Sequence, residues 1–96
     1  MEMTPPQSAV WTQVGKALSH QIFDRFERFE DAVDEAVSGI AADERPVLRG
    51  LLEDMLASGE DARSLWETSG AGIAFQDARG ARMAMEMLLQ AVKSKG

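Results

Sequence analysis

The clearest helix in the hydrophobic pattern lies between residues 43 and 58. Its apolar residues recur in adjacent pairs at every fourth position, a spacing that places them on one stripe of an α-helix. Asp43 is a suitable N-cap, Pro46 lies in the first turn, where no N–H is needed, and Gly59 is a suitable left-handed stop. Other helices must cover this stripe, which consists of Val47, Leu48, Leu51, Leu52, Met55 and Leu56.

A second apolar pattern runs from Val10 to Ile40 with spacings of three and four residues. Read literally, it predicts one helix of more than 30 residues, whereas an average helix has about 11–12. Three phenylalanines in its middle add bulk on more than one face, and helix propensity is middling there. We therefore predict a helix at about 6–20, for which Thr4 is a suitable cap. An irregular aromatic corner is predicted at about 21–29 and a helix at about 30–40. One continuous helix is the alternative.

The second half of the chain predicts two more helices. Asp61, or alternatively Ser58, is a suitable cap for a short helix at about 61–69, which Gly70 ends. After a loop, Asp77 is a suitable cap for a last helix at about 78–94. Two lysines near its end complement the negative end of the helix dipole.

These helices, without any strand pattern, predict an all-α fold: a compact single-domain bundle of four to five helices. The bundle is expected to span residues 6–96, behind an N-terminal tail at residues 1–5. The 45% hydrophobic content of the 96 residues is typical of a folded domain. The sequence has no cysteine, no secretory leader pattern and no apolar run of bilayer length, so we expect a soluble, cytoplasmic protein.

The charge of the chain is unevenly distributed. Residues 24–61 contain twelve acidic side chains and only four basic ones, within a chain of net charge −6. An acidic segment disfavours binding to nucleic acid or to an anionic membrane, both of which need a basic patch. It favours a basic protein partner. The alternative is that the acids only keep a small domain soluble.

Part of this charge forms an acidic ridge, which we define as Glu27, Glu30, Asp31, Asp34 and Glu35. The last four of these residues lie on the helix predicted at 30–40. Its carboxylates are spaced i, i+4 in two like-charge pairs, each of which costs roughly a few tenths of a kcal/mol. Acids at the N-terminal end of a helix stabilise its dipole, which explains Glu30 and Asp31 but not Asp34 or Glu35. We therefore predict a partner-binding surface formed by the acidic side chains Glu27, Glu30, Asp31, Asp34, Glu35, Glu53 and Asp54.

Patterns for catalysis or metal binding are weak. The spacing of His20, Asp24 and Glu27 places them on one helical face, but a closed zinc site needs four ligands, usually with more His or Cys. One histidine and no cysteine leave no nucleophile–base pair. The carboxylates lack the apolar pocket that would separate their pKa values for acid–base chemistry. We therefore expect no enzyme activity, no metal and no cofactor.

The methionines of the last predicted helix allow two interpretations. These side chains (Met83, Met85 and Met87), together with Met55 of the third helix, are adaptable and suit either a core between helices of unequal size or a binding surface. The core is the more frequent role of such residues, and we predict it here. Trp11 and Trp66 are likewise predicted to be core residues.

An ordered set of short motifs covers about four-fifths of the chain. It comprises His20-Gln21, Phe23-Asp24, Glu30-Asp31-Ala32-Val33, the leucine-rich segment 48–59, Leu65-Trp66, Ser69-Gly70-Ala71 and a last helix after Asp77. In this order the motifs resemble the small helical immunity proteins of bacterial contact-dependent growth inhibition systems. Residues 24–30 depart from the family's pattern, because they lack the glycine-containing turn that is usual there.

The resemblance implies an all-helical cytoplasmic protein that binds and neutralises one cognate toxin domain, without catalysis or a cofactor. The acidic surface suits a basic toxin such as a nuclease. Two other interpretations stay open. One is an inhibitor or adaptor that mimics the negative charge of nucleic acid, and the other is a structural protein that self-associates as a homodimer through its last helix.

Overall fold

The computed structural model describes residues 2–18, 28–71 and 75–95. These residues form an all-α single-domain bundle without strands, as predicted. None of the helices in the described ranges is long and apolar enough to cross a membrane. In chain order, the helices are α1 (Pro5–Ala17), α2 (Phe29–Ser38), α3 (Arg45–Ala57), α4 (Ala62–Glu67) and α5 (Ala78–Lys95).

The last helix, α5, is the centre of the packing. It contacts α3, α2 and α4, whereas α1 packs against α3 and α2. The stripe predicted for the third helix faces this core, and each fully buried leucine contributes roughly 1.5–3 kcal/mol. Leu48, Leu51, Leu52 and Met55 are buried, and Val47 and Leu56 are half-buried against the same core.

The first two helices are separate. α1 ends at Ala17, because Leu18 leaves helical geometry (φ −98°, ψ 54°). Arg28 is extended (φ −117°, ψ 138°) immediately before α2 begins at Phe29. One continuous helix is therefore excluded, and α1 is shorter than the predicted 6–20. The aromatic corner predicted at 21–29 lies mostly outside the described residues.

Capping side chains begin three helices where the sequence predicts them. At α1, the Thr4 hydroxyl accepts the Gln7 N–H (3.3 Å), and the Gln7 side chain accepts the Thr4 N–H (3.0 Å). At α4, the Asp61 carboxylate accepts the Arg63 N–H (3.1 Å). At α5, the Asp77 carboxylate accepts a backbone N–H of the first turn (2.9 Å). Each contact satisfies a donor that the helix leaves unpaired.

The predicted start of α3 is wrong, because Asp43 is not its N-cap. The N–H groups of Glu44 and Arg45 both donate to the Ala41 carbonyl (2.9 and 3.1 Å), so the chain is already turning before the helix begins. Glu44 occupies the cap position in helical geometry (φ −93°, ψ −16°) and makes no side-chain cap. A capping side chain needs an extended backbone at that position. The predicted left-handed stop is confirmed, since Gly59 has φ 76°.

Trp11 connects the first helix to the second half of the chain. Its ring is 1% exposed, and Nε1 donates to the Leu65 carbonyl (3.1 Å) and to Thr68 Oγ1 (2.9 Å). Its ring meets Trp66 edge-on at 5.9 Å, and Trp66 meets Phe75 edge-on at 5.2 Å. Edge-to-face rings contribute about 0.5–1.5 kcal/mol beyond their burial. The prediction that both tryptophans are core residues is confirmed.

At Gly15, α1 approaches the backbone of another part of the bundle closely. A Cβ at this position would overlap the backbone carbonyl of Ser69, which is itself buried. Glycine disfavours a helix interior by roughly 0.5–1 kcal/mol. At Gly15 this loss of helix stability is offset, because only a residue without a Cβ leaves room for the backbone of Ser69 opposite.

We expect Gly15→Ala to destabilise the fold by about 1–3 kcal/mol or more, because the methyl group would push two backbones apart. The matched control is Gly50→Ala in α3, where nothing lies within 4 Å of the added Cβ. That change should stabilise the fold by about 0.5–1 kcal/mol through helix propensity. Urea unfolding followed by circular dichroism measures both variants, and equal effects would contradict the close approach.

Candidate functional site

An open groove of about 630 Å³ lies between α2 and α5. We call it the α2–α5 groove. The helices that form it pack directly against each other, so their outward-facing side chains build its two walls. The residues that line it are Glu30, Asp31, Val33 and Asp34 from α2, and Met83, Glu86, Met87, Leu89, Gln90 and Ala91 from α5.

Helical periodicity explains why α5 presents apolar residues on this side. Residues two positions apart on a helix face opposite directions, whereas residues four apart share a face. Met85 is therefore buried in the core (0% exposed), while Met83 and Met87 stand one turn apart along the groove. Met83 is 58% exposed, more than any other large apolar side chain in the described ranges, and Met87 is half-buried.

Carboxylates from both helices surround these apolar side chains. On the α2 side, Arg28 Nε lies 3.2 Å from Glu30 Oε2, and Lys95 Nζ lies 3.3 Å from Asp34 Oδ1. On the α5 side, Glu86 pairs with a neighbouring arginine at 3.3 Å. Every one of these carboxylates is exposed, so each pair contributes about 0–1 kcal/mol or less. Among the described residues, Asp31 has no ion-pair partner.

The structure brings together three residues of the predicted surface, namely Glu30, Asp31 and Asp34. The buried faces of α2, which include Ala32 and Val33, direct these acids outward on one side of the helix. Glu30 and Asp34, which are spaced i, i+4 in the sequence, therefore lie on the same side of α2 in the structure. The assignment of these residues to partner binding stays a prediction.

The other predicted residues lie apart from the groove. Glu35 is exposed on α2 but does not line it. Glu53 and Asp54 are exposed on α3, where Glu53 pairs with Arg49 at 3.3 Å. Glu27 lies outside the described residues. The predicted acidic surface is thus divided between α2 and α3. Only its α2 part lines the groove that contains the exposed side chain of Met83.

Reasoning from the sequence missed the contribution of α5 to the groove. The prediction that the methionines fill the core is confirmed for Met55 and Met85, which are 2% and 0% exposed, and is wrong for Met83. The alternating spacing of the three methionines on α5 carries this signal, because a helix cannot bury all three on one face. Nothing in the sequence indicated that Glu86 and Gln90 would line a groove.

The described residues hold no cluster of three or more His, Asp or Glu side chains that could bind a metal ion. His20 and Asp24, the residues weighed for such a site, lie outside the described ranges. Comparison of the chain with protein-family models, with curated proteins and with solved structures gave no match. The function of the groove must therefore be inferred from its own residues.

We expect the two neighbouring methionines of α5 to differ sharply in their effect on stability. Met83→Ala should change the free energy of unfolding by less than about 0.5 kcal/mol, because the side chain is largely exposed. Met85→Ala should lower it by about 2–5 kcal/mol, because it leaves a cavity in the core. Urea titration of both variants provides the test. An equal loss would mean that Met83 is buried in solution and that the groove is not a free surface.

Proposed function

We propose that this protein is an immunity protein, which binds and neutralises a cognate bacterial toxin domain in the cytoplasm of the cell that it protects. The observation that carries the proposal is the α2–α5 groove, where the exposed Met83 and the half-buried Met87 stand among carboxylates. A protein interface typically has an apolar centre and a polar rim. The resemblance of the sequence motifs to immunity proteins supports a toxin as the partner.

The charge of the groove selects a basic partner surface. Complementary charge speeds the encounter of two proteins by about 10–10³-fold at low salt and disfavours acidic partners. Asp31 has no ion-pair partner among the described residues, so a cationic group of a partner can pair with it. The apolar side chains add contacts that salt does not screen.

A nuclease toxin fits this charge best. Nucleases bind the phosphates of their substrate through lysine and arginine side chains. A protein that occupies those side chains with carboxylates prevents the substrate from binding, and it needs no catalytic group of its own. A nuclease toxin can therefore be inhibited by a protein that only covers its substrate-binding side chains. Such a protein needs an acidic surface that binds the toxin firmly.

The proposal is tested by capture of a partner followed by a growth assay. The tagged protein is used to isolate proteins from lysate of its own organism, with elution across a salt gradient. Each captured protein is then expressed in a bacterial host, with and without this chain. Toxicity that this chain suppresses would support the immunity function. Capture of several DNA-binding proteins without toxicity would instead favour the charge-mimic interpretation, and a homodimer without any partner would favour self-association.

We expect the triple variant Asp31→Lys, Asp34→Lys and Glu35→Lys to bind the toxin about 10- to 10³-fold more slowly at low salt, because the steering charge is reversed. Its suppression of toxicity should be lost. Stopped-flow binding across a salt series measures the association rate, and circular dichroism verifies the fold.

The matched control is the triple variant Glu2→Lys, Asp43→Lys and Glu67→Lys, which makes the same change in net charge at exposed positions outside the groove. This control should retain most of its association rate and should still suppress toxicity. If both triple variants lose binding equally, net charge alone decides the interaction. If neither loses binding, the acidic ridge is not the site.

A further inference from the structure

The walls of the α2–α5 groove limit the kind of backbone that can occupy it. Both walls are helices, and a helix pairs its own backbone N–H and C=O groups along its length. An extended segment on the apolar side chains of the groove would find no backbone partners there, and leaving buried backbone groups unpaired weakens binding. An occupying helix has no such loss, because its backbone groups are paired internally.

The side chains of the groove define the pattern of that helix. The exposed Met83 and the half-buried Met87 provide an apolar strip, and methionine side chains adapt to partner residues of different shape. Carboxylates stand on either side of the strip, with Asp31 and Asp34 on α2 and Glu86 on α5. An occupant with apolar residues in the centre and cations on both flanks matches this distribution.

Lys95 already shows how a cation binds at this rim. Its side chain is only 28% exposed, and its Nζ lies 3.3 Å from Asp34 Oδ1. The aliphatic stem of a lysine can cover apolar surface while its charged end reaches a carboxylate. A lysine of a partner can make the same contact at Asp31, which has no ion-pair partner among the described residues.

A second copy of this chain fits the groove less well. A symmetric dimer places the same patch of both copies together. That arrangement would bring two sets of groove carboxylates together in chains that each carry a net charge of −6. Like charges directly opposite each other destabilise an interface.

We infer that the α2–α5 groove receives a single amphipathic helix of the partner, with apolar residues along its centre and lysine or arginine along both flanks. The inference rests on the proposed function for the identity of that partner, a toxin domain. It adds the binding mode, which is a third helix laid between α2 and α5.

The test uses a synthetic helical peptide of about 18 residues, or five turns. Its leucines lie at i, i+3, i+4 and i+7, and lysines flank them. One control peptide has the same composition in a scrambled order, and a second has glutamate in place of lysine. Binding is followed by NMR of the protein labelled with ¹³C in its methionine methyl groups, at about 0.15 M salt, where exposed charges are screened beyond roughly 8 Å.

We expect the methyl signals of Met83 and Met87 to shift on addition of the amphipathic peptide. The buried Met55 and Met85 serve as internal references and should shift much less. Both control peptides should bind at least about tenfold more weakly. Equal binding by the scrambled peptide, or shifts confined to methionines outside the groove, would overturn the inference. Shifts that follow protein concentration without peptide, together with a doubled native mass, would overturn it in favour of a second copy.

A variant separates this inference from the proposed function. Met83→Lys places a cation in the groove at an exposed position, and we expect the dissociation constant of the peptide to rise at least about tenfold. The control Thr12→Lys adds the same charge on the exposed side of α1 and should leave binding unchanged. If Met83→Lys binds peptide and toxin as tightly as the natural chain, the groove is not the site, although immunity stands. If the peptide binds as expected but no toxin is neutralised, the binding mode stands and immunity fails.

Discussion

The packing of α5 against three other helices is the constraint on which the rest of the structure depends. Its buried positions, which include Ala81, Ala84 and Leu88, fix the rotation of the helix about its own axis. Once that rotation is fixed, Met83 and Met87 must face outward beside α2. The groove is thus a consequence of core packing, and its position follows from how α5 is buried.

Structural features that depend only on a few neighbouring residues were predictable from the sequence. The caps at Thr4 and Asp61 and the stop at Gly59 depend on local backbone geometry and on side chains at most three positions away. The alternation of buried and exposed residues along α3 is equally local. Asp43 failed as a cap because the preceding turn is closed by the Ala41 carbonyl, and residue type alone does not show that bond.

Features decided by distant parts of the chain were not predictable in this way. Gly15 appears in the sequence as a residue that weakens a helix, and its role becomes visible only when Ser69 lies opposite. The groove is a similar case, because it joins α2 to a helix some fifty residues further along the chain. The acids of α2 were visible in the sequence, but their apolar neighbours on α5 were not.

The combination of acidic and apolar residues favours the proposed binding surface over a surface whose acids only keep the protein soluble. Carboxylates that only keep a protein soluble need no apolar neighbours, and an exposed methionine among them reduces their benefit. In the groove, Met83 lies beside carboxylates from two helices. In the binding that we propose, the two kinds of residue have different roles. The carboxylates attract a partner over a distance, and the apolar side chains act on contact.

That division of roles suits the function that we propose, in which the protein intercepts a toxin before the toxin reaches its target. Exposed carboxylates speed the encounter but hold a partner weakly at physiological salt, where charges are screened over about 8 Å. Apolar contacts do not guide the encounter, but salt does not weaken them, and they slow dissociation. Acids alone would give fast but transient binding, and methionines alone would give slow and unselective binding. The two together would give a surface that binds quickly and releases slowly, as the neutralisation of a toxin that we propose requires.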